Sequence, residues 1–114
     1  MSLDLYLTAI VDVGRPEPTV IYLDMDDMNY THNVIPMWSK ANVYDALYKS
    51  DGHCAGEYIE TLEKGIKHMQ DNPGKYIKLN PPNNWGSYEG ALSFLQRWAK
   101  WCREYPKAII RVSA

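Results

Sequence analysis

The sequence predicts an α+β fold in one domain, 1–114: a small antiparallel sheet of about three strands, in the order β-β-helices-β, with two long helices packed on one face. Three observations carry this. Leu3, Leu5 and Leu7 alternate with Asp4, Tyr6 and Thr8, the period of a half-buried strand. Two later stretches carry apolar residues three and four apart, the period of helices lying on a core. The chain then closes on Ala108-Ile109-Ile110-Arg111-Val112, a short β-branched run.

The elements follow in order. After the first strand, Gly14-Arg15-Pro16-Glu17-Pro18 is a loop, because proline fixes φ and donates no hydrogen bond. Thr19-Val20-Ile21-Tyr22-Leu23 is a second strand, placed to form an antiparallel hairpin with the first. Asn33 is placed to cap a short helix through Val34, Met37 and Trp38, with Pro36 in its first turn. Val43–Tyr48 makes another helical turn or two, and Ser50-Asp51-Gly52-His53 ends it. A long helix runs from about Ala55 to Gln70, with Ile59, Leu62, Ile66 and Met69 on one face and Glu60–Lys64 and Glu63–Lys67 as i,i+4 pairs. Asp71-Asn72-Pro73-Gly74 stops it. Ser87 caps a second long helix to about Tyr105, with Glu89 in its first turn where the helix dipole favours an acid.

Composition narrows the function. The net charge is −2 and basic residues do not cluster, so no nucleic-acid polymer is expected as a partner. No apolar run approaches the ~20 residues of a membrane span, and no membrane partner is expected. The first residues lack the pattern of a signal peptide, and the two cysteines, Cys54 and Cys102, lack metal or redox spacing. These features predict a cytoplasmic protein with free thiols and no cofactor. Asp24, Asp26 and Asp27 are expected to be a solvated strand end, with no metal site. Nine Tyr and four Trp against one Phe favour binding surfaces and partly wet cores, since each such ring has a polar handle.

Two polar segments are the candidate binding site. One is Asn29-Tyr30-Thr31-His32-Asn33, followed by Trp38; the other is Asn80-Pro81-Pro82-Asn83-Asn84-Trp85-Gly86-Ser87-Tyr88-Glu89-Gly90. Each leads into a helix start, where free N–H groups suit phosphate or carboxylate. The predicted ligand-binding set is Asn29, Thr31, His32, Asn33, Trp38, Asn80, Asn84, Trp85, Tyr88 and Glu89: rings to stack a base, amides to read its edges. The competing reading is that the asparagines cap helices and satisfy loop backbone. On the last helix Trp98 and Trp101, the candidate interface residues, cannot both occupy the centre of the stripe with Leu95 and Cys102, so one of them is expected to reach a second copy or another protein, the alternative being lateral packing.

These segments, with Tyr44-x-x-Leu47-Tyr48, Leu62-Glu63-Lys64-Gly65 and a closing Ile110-Arg111-Val112-Ser113, resemble a family of small phage and prophage proteins carrying Asn-x-Thr-His-Asn and Asn-x-Trp-Gly-Ser/Thr-Tyr-Glu-Gly segments. Tyr30 departs from that pattern, which usually has a smaller aliphatic there. The resemblance implies a phage accessory protein working in the infected host's cytoplasm, and no reaction. The leading expectation is a non-enzymatic binder that sequesters a small nucleotide-like ligand, such as an ADP-ribose derivative or cyclic nucleotide used as a host immune signal. The alternatives are a protein inhibitor acting through the Trp-rich helix face, and a small nucleotide-processing enzyme using His32 and Glu89 as acid and base.

Overall fold

The computed structural model describes residues 2–114, and the chain is α+β. The strands are β1 (Ser2–Val11), β2 (Thr19–Tyr22), β3 (Met28–Thr31) and β4 (Ile109–Ser113). The helices between β3 and β4 are α1 (Ile35–Lys40), α2 (Tyr44–Tyr48), α3 (Ile59–Asp71), α4 (Pro73–Ile77) and α5 (Tyr88–Glu104).

All pairing is antiparallel and runs through β1. Asp4 and Leu5 pair with both β3 and β4, and Thr8 pairs with both β2 and β4. A strand has two edges, so β4 holds one edge of β1 while β2 and β3 share the other. The segment between them, Leu23–Asp27, leaves the sheet edge after the Leu23 N–H bonds the Leu7 carbonyl at 2.9 Å. Met28-Asn29-Tyr30-Thr31 is thus a strand, where the sequence suggested a loop before a helix. Its alternation is real but short, and its inward residues are Met28 and Tyr30, which a simple polar count conceals.

Leu3, Leu5 and Leu7 on β1 are fully buried under the helices, in one core with Trp38, Phe94, Leu95 and Trp98. α3 turns Leu62, Gly65 and Met69 inward, and α5 turns Tyr88, Ala91, Leu95, Trp98 and Cys102 inward; the two helices pack on each other. Trp98 is 0% exposed, so the interface role expected for it is corrected: it is a core residue, and α5 buries a face wide enough to take it beside Leu95. Trp101 is only partly buried and stacks on Tyr105 at 6.0 Å.

Smaller departures have local causes. Ala55–Tyr58 is a 3₁₀ turn before α3, not its first turn. Asp71–Gly74 does end α3, yet Pro73 opens α4 at once, since proline fits a helix's first position. Lys64 pairs with Glu60 at 2.9 Å as expected, but Lys67 turns to Asp71 and Glu63 to Arg103 on α5. Among the described residues no helix is long and apolar enough to cross a membrane.

Candidate functional site

The two polar segments meet along a seam where β3 and the start of α1 touch the loop before α5. Tyr30 points into the core beside Trp38 and Phe94, with ring centroids 6.1 and 6.0 Å away. Its hydroxyl accepts the Ser87 backbone N–H at 3.1 Å. Thr31 caps the 3₁₀ turn His32–Val34 by accepting the Asn33 N–H, so the cap is Thr31 and not Asn33. Asn33 instead reaches across and donates from Nδ2 to the Trp85 carbonyl at 3.3 Å. Gly86 closes the seam: its φ is +97°, and a Cβ there would lie 2.8 Å from both Thr31 and Val34 side chains.

The second wall is braced from within. Ser87 Oγ accepts the Gly90 N–H at 3.0 Å, the expected N-cap of α5. Asn80 Oδ1 accepts the Tyr88 N–H at 2.8 Å, satisfying another free donor of the helix start. Asn83 Oδ1 accepts the Trp85 N–H at 3.0 Å, and Asn84 sits at φ +61°, a left-handed conformation that asparagine tolerates. Tyr88 is buried and donates to the Met69 carbonyl at 2.6 Å, tying α5 to α3. Trp38 is fully buried, its indole N–H directed at the Ala91 carbonyl at 3.5 Å.

The predicted site residues therefore divide. Trp38 and Tyr88 belong to the core, and Thr31 and Asn80 are spent on caps. Asn29 faces the sheet surface away from the seam, donating to Ser2 Oγ and Asp4 Oδ1. Trp85 is 70% exposed, with exposed Asn33, Asn84 and Glu89 on the same two segments. Tyr30, absent from the predicted set, joins the walls from 57 residues away.

The reactive groups are restrained. His32 Nδ1 and the Tyr48 hydroxyl share a hydrogen bond of 2.8 Å. Burial, and then the neighbouring Tyr44 phenol, push the Tyr48 pKa up, so it stays a neutral phenol. Burial pushes the Cys102 thiol up to about 12, which keeps it un-ionised and a poor nucleophile. Asp24, Asp26 and Asp27 line a hollow of about 340 Å³ in the gap between β2 and β3, beside Tyr6 and Tyr22. Among the described residues no three His, Cys, Asp or Glu side chains converge as metal ligands.

Comparison with protein-family models, with curated proteins and with solved structures finds no match to this chain.

Proposed function

We propose that the chain is a non-enzymatic binding module that captures a small nucleotide-like ligand by stacking its base on Trp85. The observation that carries this is an indole 70% exposed on a loop whose backbone is already fixed by hydrogen bonds to Asn33 and Asn83. An exposed indole on a braced loop gives a planar heterocycle a platform that needs little ordering on binding. Stacking of this kind is worth about 1–3 kcal/mol per base. The Asn33 carbonyl oxygen, the Asn84 amide and the Glu89 carboxylate stand on the same segments to read base or ribose edges. In the phage setting suggested by the sequence resemblance, such a module would withdraw a host signal nucleotide from circulation. Binding is proposed over turnover because Cys102 is buried and the seam's amides serve its own backbone.

Isothermal calorimetry against ADP-ribose, cyclic dinucleotides and common nucleotides tests this. Expected is saturable heat with at least one of them, lost in Trp85→Ala while the melting temperature stays within about 2 °C, as for an exposed substitution. No heat across the panel, or heat unchanged in Trp85→Ala, overturns it.

A second reading has its own observation. Tyr105, stacked on Trp101, lines a largely apolar hollow of about 360 Å³ with Ala9, Leu23, Pro106, Lys107 and Ala108. That surface favours a protein partner, and Trp101→Ala, not Trp85→Ala, would then remove the activity.

A further inference from the structure

A second polar surface lies where the turn after α1 rests on α3. Thr61, Lys64, Gly65 and His68 fall at helical spacing along one stripe of α3. Gly65 lets the turn come close: a Cβ there would lie 2.3 Å from Val43 Cγ1 and 3.1 Å from the Ala41 carbonyl oxygen. That approach sets Lys40 and Asn42 opposite the stripe and encloses a groove of about 390 Å³, lined by Lys40, Ala41, Asn42, Thr61, Lys64 and His68. No carboxylate is in the wall.

The side-chain donors are free or only loosely held. Lys40 has no ion pair among the described residues, and Lys64 pairs only with Glu60, both ends well exposed. Exposed pairs of this kind contribute little and exchange readily. The turn's backbone N–H groups are occupied, since the Met37, Ser39 and Trp38 carbonyls accept those of Ala41, Asn42 and Val43, so a ligand there is held by side chains. His68 is fixed by a chemical constraint. The Tyr76 hydroxyl is buried, stays protonated because burial raises its pKa, and has His68 Nδ1 as its hydrogen-bond partner. The phenol proton is satisfied by donating to Nδ1, which leaves the neutral imidazole's own proton on Nε2. The ring thus presents a donor beside two ammonium groups, an amide and a hydroxyl.

We propose that this groove binds a small phosphate-type oxyanion, held by Lys40 and Lys64 and by the Nε2–H of His68. The wall contains no arginine fork, the group best matched to a planar carboxylate. Point-charge ammoniums and single N–H and O–H donors from opposite sides suit an oxyanion with tetrahedral oxygens. The volume fits one or two phosphate units of a small molecule and not a polymer, and the net charge of −2 gives no extended basic track. This inference stands apart from the Trp85 reading, because the groove shares no residue with that seam.

The test is titration of the full chain with inorganic pyrophosphate at low ionic strength, followed by amide ¹H–¹⁵N shifts. Expected are saturating shifts centred on residues 40–43 and 61–68. Lys40→Ala and Lys64→Ala should each weaken binding about tenfold, the loss of one charge-assisted hydrogen bond, with Lys100→Ala unchanged. Both lysines are exposed, so the variants should melt as the parent does. The proposal is overturned if shifts are absent or centred elsewhere, if the double variant binds as well, or if malonate at matched ionic strength binds equally.

Discussion

The seam and the groove are both polar meetings of distant segments, yet they spend their polar groups differently. In the seam, Tyr30, Asn33, Asn80, Asn83 and Ser87 all have partners within the chain. In the groove, Lys40, Asn42 and Thr61 have no described side-chain hydrogen bond, Lys64 has only its exposed pair with Glu60, and His68 has only one ring nitrogen engaged. A polar cluster whose bonds close on themselves holds a fold; one whose donors stay open is available to a ligand. What the seam offers a ligand is therefore not its asparagines in bulk but the one ring it leaves uncovered, Trp85.

Each region turns on a glycine, and the two glycines break the comparison most strongly. Gly86→Ala forces an alanine to φ +97° and drives a methyl within 2.8 Å of Thr31 and Val34. Left-handed strain of about 1–2 kcal/mol adds to overpacking of about 1–3 kcal/mol. The expected loss is about 3 kcal/mol, read as a fall in melting temperature of roughly 10 °C for a domain of this size. A fall under about 2 °C would mean that the seam is not structural and that its polar groups are free after all.

Gly65→Ala is the matching change in the groove. Its methyl would meet the fully buried Val43 side chain and the Ala41 carbonyl oxygen, but without the left-handed strain of Gly86, so the expected cost is about 1–3 kcal/mol. Because the turn carries Asn42 and follows directly on Lys40 at the end of α1, the same variant should lose most pyrophosphate binding. Retained binding with lowered stability would separate the turn's packing from the proposed site.

The sequence made one of these regions far more legible than the other. Ser87 announced its cap, the α3 and α5 stripes announced their faces, and the Leu3-Leu5-Leu7 alternation announced the buried half of β1, because each is a local pattern with a fixed period. The outer half of β1 gave no such alternation to read: Ile10, Val20, Ile21 and Tyr22 are each at least 43% exposed, on a ribbon that the helices do not cover. The seam was visible as two odd segments, but which asparagine was spent on which backbone group depends on contacts up to 57 residues apart. Trp98 and Trp101 looked equivalent by spacing, and only packing against the sheet separates the buried ring from the partly exposed one. The groove was invisible: Lys64 stood out only in a helical pair and a resemblance, Gly65 only in the resemblance, His68 read as a routine residue of a helix, and Lys40 has no reason in sequence to meet them.

The finest division is between two exposed polar residues, one from each region. Asn80 is exposed on the surface of its loop, yet its Oδ1 accepts the Tyr88 N–H at 2.8 Å and so satisfies the start of α5. Asn80→Ala should therefore cost about 1 kcal/mol, the usual effect of losing a side-chain cap. Lys40 is exposed too, but its side chain bonds nothing among the described residues, and Lys40→Ala should move stability by less than about 0.5 kcal/mol. Urea melts resolve a difference of this size when the slopes of the two variants agree. Equal costs would mean that exposure, not hydrogen bonding, decides the value of a polar residue here. A larger cost for Lys40→Ala would place that lysine in the scaffold and remove the ground for assigning it to a ligand. The ordering Asn80 above Lys40 follows only if the seam's bonds are closed within the chain and the groove's are open.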